Sequence, residues 1–337
     1  MVHRLLVICV VALATACVSP VGPREPVEFQ SATRPAGSSS FPNWDEPPHV
    51  AMKQMATAHP VFESAAPTAA GTSGAEKIDT LWGESHRKFK EKVVPKELDG
   101  INNAPRKELA AYAIQRLFLD PVDYVVPATS LRCVPLDTWE AHHGSARAET
   151  IDGTRCVLVA LAVWLKDVTV PEVLFDRERF LTEPNYAYYM SNMNVLTYLI
   201  SHQDGREGNF LVSKDDRRQV FAIDNGVSFG QPWPYYNWFV PNWNVLRVPA
   251  VRKDSIERLR GLERKDLDFL LVVAQLEPDA NGVLKLTKPG PPHDPDTGAT
   301  LRGTTVQFGL TDDEIDDVWD RIEDLIEEVD EGDLPVF

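Results

Sequence analysis

The feature that most constrains the fold of this chain is a pair of polar motifs on either side of a short apolar hairpin. The first motif is His202-Gln203-Asp204, and Asn209 follows five residues after its aspartate. The second motif, Ile223-Asp224-Asn225-Gly226, follows two apolar runs that have the pattern of short strands around a polar turn. An aromatic-rich apolar run over residues 186–200 precedes the first motif with the spacing of a buried helix. The sequence therefore predicts polar groups on a loop after a helix and at the far end of a hairpin.

Asp204, Asn209 and Asp224 supply the groups that phosphoryl transfer from ATP requires. One carboxylate must lie at the attacking hydroxyl, while a side-chain oxygen and a second carboxylate hold Mg²⁺. The protein-kinase catalytic loop has the same spacing between its Asp and its Asn. Taken singly, Asp204 and Asp224 have a simpler interpretation, because Asp-Gly and Asp-Asn-Gly are common turn sequences. Their order and spacing together favour the catalytic interpretation.

Composition limits the class of protein. The chain has 337 residues, of which 43% are hydrophobic and 25% charged, as is typical of a globular protein with one large domain or two lobes. Its formal net charge of −16 argues against nucleic acid or an anionic membrane surface as the main partner. Residues 311–333 contain thirteen acidic residues and one arginine, so most of this charge is local.

Residues 1–16 have the pattern of a secretory signal peptide, in which Arg4 is followed by an apolar run and by small residues before Cys17. The run is too short to span a bilayer stably as a mature helix. Its ending is similar to a bacterial lipobox, in which Cys17 would be lipidated after cleavage; cleavage by an ordinary signal peptidase is the alternative. Residues 17–75 are rich in Pro, Ser, Ala, Gly and Thr, which predicts a disordered tether. We therefore expect an exported lipoprotein, periplasmic or on the cell surface, that touches the membrane only through the lipid on Cys17.

From residue 76 onward the sequence predicts an ordered unit of the α+β class. The expected elements are two strands around a turn (78–94), a helix with Pro105 in its first turn (104–119), a central strand buried on both faces (156–165), a helix (265–276), a Pro-, Gly- and Asp-rich loop (277–305) and an acidic helix that begins at a capping box (311–314).

With these residues in place, the chain resembles the atypical kinase-like proteins related to phosphatidylinositol 3-/4-kinases, over residues 81–276. The most specific likeness is the His202-Gln203-Asp204 loop with its following Asn209 and the Asp224 motif. A second likeness is the segment Lys107-Glu108-Leu109-Ala110-Ala111-Tyr112, followed by Val125-Val126-Pro127-Ala128-Thr129.

The resemblance implies a two-lobed protein-kinase-like fold that binds ATP and Mg²⁺ between its lobes. Residues 76–166 would form a small β-rich N-lobe and residues 167–337 a helical C-lobe. Two features depart from the pattern. Gly83-Glu84-Ser85 is the only candidate for a loop that covers the phosphates, and Asp224-Asn225-Gly226 stands where Asp-Phe-Gly is usual.

The resemblance also implies a role for each candidate residue. Asp204 would orient and deprotonate the acceptor hydroxyl, while Asn209 and Asp224 would hold Mg²⁺, or Mn²⁺ as an alternative. Lys90 would bind phosphate oxygens, with Glu108 as its partner, although Lys88 and Lys92 are rivals in the same basic cluster. The remaining assignments are Trp164 and Leu165 at the nucleotide hinge, and His202 as a brace of the loop through a hydrogen bond.

The expected function is therefore an ATP- and Mg²⁺-dependent phosphotransferase acting on a hydroxyl of a protein, lipid or small molecule. Export leaves other functions open, because ATP is scarce outside the cytoplasm. The alternatives are an exported pseudokinase or lipoprotein binding module, a kinase-fold nucleotidyltransferase, and an anchored interaction protein in which residues 204–209 bind Ca²⁺.

Cys133 and Cys156 are the two cysteines that remain after the predicted signal and lipid site are set aside. Both lie in strand-like segments joined by a polar connection, so antiparallel pairing would bring them within reach of a disulfide. Two buried free thiols are the alternative.

Overall fold

The computed structural model describes residue 34 and residues 40–57, 60–68, 74–100, 103–230 and 243–337. The predicted signal peptide and Cys17 lie outside these residues. Within them the fold is α+β, with three antiparallel sheets. No helix among the described residues has the length and apolar character needed to cross a membrane.

The strands are β1 (Val61–Pro67), β2 (Glu76–Trp82), β3 (Ser85–Val93), β4 (Thr129–Pro135), β5 (Cys156–Val163), β6 (Val168–Thr169), β7 (Phe210–Ser213), β8 (Val220–Ala222), β9 (Ala274–Pro278), β10 (Leu284–Thr287), β11 (Ala299–Arg302) and β12 (Thr305–Phe308). The α-helices are α1 (Pro48–Thr57), α2 (Pro105–Phe118), α3 (Leu136–His143), α4 (Arg177–Thr182), α5 (Pro184–Leu199), α6 (Lys253–Arg260) and α7 (Asp312–Asp330).

The largest sheet has five strands in the order β1-β2-β3-β5-β4. The predicted central strand is β5, an interior strand of uninterrupted apolar residues. Its residues alternate between two cores: Val157 and Val159 belong to the larger one, while Leu158 and Ala160 belong to a smaller one. In chain order, α2 follows β3 and precedes β4, and Pro105 is the first residue of this helix, as predicted.

The prediction of a disordered tether through residue 75 is wrong for residues 48–57, which form α1, and for residues 61–67, which form β1. β1 pairs with β2 in antiparallel register, and Ala51 and Met55 of α1 are buried in the larger core. A segment rich in Pro, Ser, Ala, Gly and Thr has too little apolar surface to build a core of its own, but here β2 supplies the backbone hydrogen bonds and the sheet supplies further apolar surface. Composition alone could not reveal these non-local partners.

The C-terminal part contains more strand than predicted. Residues 264–272 form a 3₁₀ helix, after which β9 begins, and the expected loop 277–305 contains β10 and β11 in a four-stranded sheet of order β10-β9-β12-β11. Leu276, Val306 and Phe308 of this sheet pack with Leu131 and Leu158 in the smaller core. The strands are only four or five residues long, so their apolar alternation is too brief to distinguish from a loop in the sequence.

The helices near the motifs agree with the sequence. α5 is the predicted buried helix and exposes almost none of its side chains. α7 begins at the predicted capping box, in which the Thr311 side chain accepts a hydrogen bond from Glu314 N–H and Glu314 accepts one from Thr311 N–H. Its apolar face packs on the larger core through Ile315, Val318 and Ile322.

Cys133 and Cys156 form the predicted disulfide, with their Cα atoms 5.4 Å apart. It joins β4 to β5 and closes a loop that contains α3. A closed loop of this size stabilises the fold by about 3 kcal/mol through the unfolded state.

Candidate active site

A cavity of about 560 Å³ lies between the five-stranded sheet, the segment after β5 and the β7–β8 hairpin. Five residues predicted from the sequence line it: Lys90, Glu108, Trp164, Leu165 and Asp224. Its apolar wall comes from Val126, Ala160, Ala162, Val163, Val168, Val170, Leu211 and Ile223. The volume lies in the range of roughly 300–1,000 Å³ that is usual for small-molecule and cofactor sites.

Lysines dominate the sheet side of the cavity. Lys88, Lys90 and Lys92 alternate along β3 and therefore share one face, and Lys77 of β2 lies directly opposite Lys90 in the register. The ammonium groups of Lys90 and Lys92 lie 3.6 and 3.5 Å from Asp224 Oδ1. The basic run of the sequence is thus a cluster of charges facing one cavity, and two of its members, rather than Lys90 alone, reach the Asp224 carboxylate.

Asp224 follows β8 in the left-handed backbone region, with φ of 63°. Non-glycine residues adopt this conformation infrequently, and such residues concentrate at functional sites. The next residue, Asn225, donates its backbone N–H to Glu108 Oε2 at 2.9 Å. The bend therefore fixes the Asp224 carboxylate between the lysines of β3 and the glutamate of α2.

Asp224 and Glu108 have opposite pKa shifts. Burial raises the pKa of Asp224, but the charges of Lys90 and Lys92 outweigh burial and hold it below its usual value. Burial raises the pKa of Glu108, and the charge of Asp224 raises it further. Glu108 therefore takes up a proton before Asp224 does, and Asp224 stays an anion.

Glu108 differs from its expected role. Lys90 forms an ion pair with Asp224, while the Glu108 carboxylate accepts a hydrogen bond from Asn225 N–H. The positive charges of Lys90 and Lys92 still act on Glu108, and they offset part of the rise in its pKa. Glu108 thus orients the Asp224 segment as well as facing the lysines.

The loop that contains Asp204 lies beside this cavity. Asn209 Nδ2 donates to the backbone oxygen of Asp204 at 3.0 Å, and Ile223 N–H donates to the backbone oxygen of Asn209 at 2.8 Å. These bonds tie the two sequence motifs together and bring Asn209 next to Asp224. Neither Asp204 nor Asn209 is among the residues that line the cavity itself.

The Asp204 carboxylate is buried and already has a partner. Arg206 donates to it from Nε at 2.7 Å and from Nη2 at 2.6 Å. About half of the Arg206 side chain is exposed, whereas only 5% of the Asp204 side chain is. This bidentate ion pair was not predicted, because the side chain of an arginine two residues from an aspartate can point in many directions in a loop.

His202 is fully buried and packs against the ring of Phe210, with ring centroids 5.5 Å apart. Burial lowers the pKa of His202 to about 4, because its effect outweighs that of the Asp204 and Asp224 charges, which act to raise the pKa. Neither ring nitrogen has a hydrogen-bond partner within the described part of the chain. The predicted hydrogen-bonded brace is therefore not found there, and His202 acts as a neutral packing group.

Trp164 and Leu165 connect β5 to the next segment at the edge of the cavity. Trp164 N–H donates to Lys88 O, and Asn43 both accepts from Lys166 N–H and donates its side-chain amide to Lys166 O. The hydrogen bonds described for this connection involve neither the N–H nor the C=O of Leu165.

Several residues that shape the cavity were missed in the sequence. Asn43, which holds the connection after β5, lies in the segment predicted to be a tether, and Lys77 reaches the cavity only through its register with Lys90. The alternation of Lys88, Lys90 and Lys92 was the one available signal. Gly83 and Glu84 form the turn between β2 and β3, Ser85 begins β3, and none of the three lines the cavity, so the expected covering role is not found.

Neither a protein-family model nor a curated protein matches this sequence. The assignment of a function therefore depends on the geometry and chemistry of the site.

Proposed function

We propose that the chain is a kinase-like phosphotransferase that uses ATP and Mg²⁺ to phosphorylate a hydroxyl group. The observation that carries this proposal is the convergence of Lys90, Lys92, Glu108 and Asp224 on one cavity beside the Trp164–Leu165 connection. A lysine cluster suits the negative charge of a polyphosphate, and an apolar wall suits a purine.

The order of the elements supports the proposal. In protein kinases the phosphate-binding lysine lies on the third strand, its glutamate lies on the following helix, and the metal-binding aspartate follows the catalytic loop. Here the lysines lie on β3, Glu108 on α2 and Asp224 after the 201–209 loop. We accordingly propose a two-lobed arrangement with the five-stranded sheet in the smaller lobe. The four-stranded sheet is an addition to that pattern.

Asp224 and Asn209 fit a magnesium ion. Asp224 stays ionised and leaves 30% of its side chain exposed. The amide nitrogen of Asn209 is committed to Asp204 O, so its oxygen is the atom left to coordinate a cation. Oxygen donors of this kind are those that Mg²⁺ prefers. When bound, the ion would neutralise charge on the phosphates.

Asp204 is the proposed general base. It accepts the proton of the acceptor hydroxyl as that oxygen forms a bond to the γ-phosphorus, and the bond from this phosphorus to the β–γ bridging oxygen breaks to release ADP. Lys90 and Lys92 balance the charge on the phosphate oxygens. Arg206 must share or release the Asp204 carboxylate when the acceptor enters, since it donates two hydrogen bonds to that group.

A pseudokinase is the second candidate, and the Arg206–Asp204 pair is the observation that favours it. A carboxylate held by two charge-assisted hydrogen bonds is a poor base unless the arginine moves. Such a protein would bind nucleotide in the same cavity without transferring phosphate.

The predicted export of the protein remains a proposal, supported by the disulfide, because disulfides persist mainly in oxidising compartments. The membrane would be reached only through a lipid on Cys17.

Incubation with ATP labelled at the γ- or the α-phosphate tests the proposal. Transfer of the γ-label to an acceptor or to the protein itself supports a phosphotransferase, and transfer of the α-label supports a nucleotidyltransferase instead. A rise in melting temperature with Mg²⁺ and ATP, without transfer of either label, supports the pseudokinase. Absence of both binding and transfer would reject nucleotide chemistry at this cavity.

A further inference from the structure

A second charged cluster lies on the opposite face of the five-stranded sheet. Glu76 of β2 and Glu91 of β3 face each other in the register, so their side chains point to the same side. His143, the last residue of α3, completes the group: its Nδ1 lies 3.0 Å from Glu76 Oε2 and its Nε2 lies 3.2 Å from Glu91 Oε1. One donor atom from each residue falls within 4.8 Å of the others.

Glu91 is the feature that requires an explanation. Only 2% of its side chain is exposed, and neither carboxylate oxygen has a hydrogen-bond partner within the described residues, although His143 Nε2 is near. The buried His143 Nε2 also has no hydrogen-bond partner there. A buried carboxylate normally receives hydrogen bonds or binds a cation, because its desolvation is costly.

Charge balance favours a divalent cation over a proton. Two carboxylates carry a charge of −2, and protonation of the histidine would leave the cluster with −1. A divalent ion with a neutral histidine brings the sum to zero. A ligand set of one imidazole and two carboxylates suits Zn²⁺, whereas Mg²⁺ and Ca²⁺ prefer oxygen ligands alone.

We propose that Glu76, Glu91 and His143 form a zinc site, with water completing the coordination. His143 is already held in place by stacking on Trp139, at 3.7 Å between ring centroids. Glu76 leaves a third of its side chain exposed and provides the entry path. The two nitrogens of His143 face different glutamates, so one carboxylate must turn toward the nitrogen that binds the ion before all donors reach the roughly 2.0–2.2 Å at which imidazole and carboxylate bind Zn²⁺.

The position of this site gives it a structural consequence. Glu91 lies between Lys90 and Lys92 on β3, so the metal would fix the strand whose other face presents those lysines to the nucleotide cavity. It would also attach α3, inside the loop closed by the disulfide, to β2 and β3. The proposal does not depend on the proposed phosphotransferase activity.

The test is zinc binding by the full chain after its free thiols are alkylated and its metals are removed with a chelator. The parent protein should take up one Zn²⁺ per chain at this site in competition with a chromophoric chelator, and Zn²⁺ should raise its melting temperature. Glu91→Gln and Glu76→Gln should each weaken binding by about tenfold or more. Both replacements keep the shape of the side chain, and circular dichroism verifies that the variants are folded.

Two controls isolate the site. His86 also pairs with a glutamate on the same sheet, Glu63, at 2.8 Å, but its side chain is largely exposed. The variant His86→Gln should therefore leave zinc affinity unchanged. Asp224→Asn should also leave it unchanged, because Asp224 belongs to the cavity on the other face. Zinc binding of full strength in Glu91→Gln, or none in the parent protein, would overturn the proposal.

Discussion

The two halves of the candidate active site differ in how their charges are held. In the sheet half, which comprises the β3 lysines, Glu108 and the Trp164–Leu165 connection, Lys90 and Lys92 point into an open cavity. In the loop half, residues 201–209, Asp204 is closed off by Arg206 and His202 is buried without charge. Asp224 belongs to both halves.

This difference separates binding from turnover. The sheet half is already arranged to receive an anion, so nucleotide affinity should depend on groups that need not rearrange. In the proposed function, the loop half would exchange the Arg206–Asp204 pair for a contact between Asp204 and the acceptor. Substitutions in the sheet half should therefore change affinity, and substitution of Asp204 in the loop half should change turnover alone.

The largest effect is expected at Asp224, where the halves meet. Asp224→Ala removes the carboxylate that balances Lys90 and Lys92 and that would coordinate Mg²⁺. We expect transfer of the γ-label to fall to background, which is a greater loss than the roughly 10²–10⁴-fold expected when one general base is removed. We also expect Mg²⁺ and ATP no longer to raise the melting temperature. Asp216→Ala, at the exposed turn of the same hairpin, is the matched control and should behave like the parent. Normal transfer in Asp224→Ala would remove it from the site.

Asp204→Asn tests the loop half alone. The amide keeps the shape of the carboxylate but cannot accept the proton of the acceptor hydroxyl, so turnover should fall by about 10²–10⁴-fold. Nucleotide affinity, measured by the shift in melting temperature with Mg²⁺ and ATP, should stay within about twofold of the parent. If affinity falls as much as turnover, the two halves are not separate.

The sequence could predict the loop half because its elements are local. Asp204, Asn209 and the β7–β8 hairpin all lie within a short stretch of chain, so their pattern can be recognised in the sequence. The partner of Asp204 could not be predicted, because the direction of the Arg206 side chain depends on the folded loop. Cys133 and Cys156 were also predictable, since both lie in strands next to one connection.

The sheet half depends on contacts between distant segments, and there the sequence was less informative. Lys77 reaches the cavity by pairing with Lys90, and Asn43 comes from a segment whose composition predicts disorder. The same reason explains the missed β1 and the four-stranded sheet. Short polar strands become visible only once their partners are known.

His202 gives the loop half a pH dependence of stability. The folded protein keeps His202 neutral down to about pH 4, whereas in the unfolded chain its pKa returns to the ordinary 6.5. Between these values the unfolded state binds a proton that the folded state does not, so the free energy of unfolding decreases as pH falls through this window. The full loss is about 3 kcal/mol, and none is expected above pH 6.5.

Urea unfolding of the parent and of His202→Leu at pH 7.0 and pH 4.5 measures this effect. Other titrating groups are common to both proteins, so the change in their difference isolates His202. The parent should lose about 2–3 kcal/mol relative to the variant over this interval. Equal pH dependence in the two proteins would mean that His202 is protonated in the folded state or is accessible to water.

The smallest effects, and the most discriminating, are expected within the lysine cluster. Lys90 and Lys92 lie within 3.6 Å of Asp224 and are 22% and 6% exposed, whereas Lys88 is half exposed and pairs with Asp79 at 3.7 Å. A buried ammonium group that binds phosphate is worth about 1.5–3 kcal/mol, and an exposed ion pair about 0–1 kcal/mol. Lys90→Met and Lys92→Met should therefore each weaken binding of Mg²⁺–ATP by roughly 10- to 100-fold, with Lys88→Met, the matched control, within a few-fold of the parent. Calorimetric titration ranks the three. A loss of affinity in Lys88→Met as large as in the other two variants would indicate that the phosphates bind toward the Trp164 end of the cavity and away from Asp224. The sheet half would then no longer meet the loop half at the Asp224 carboxylate.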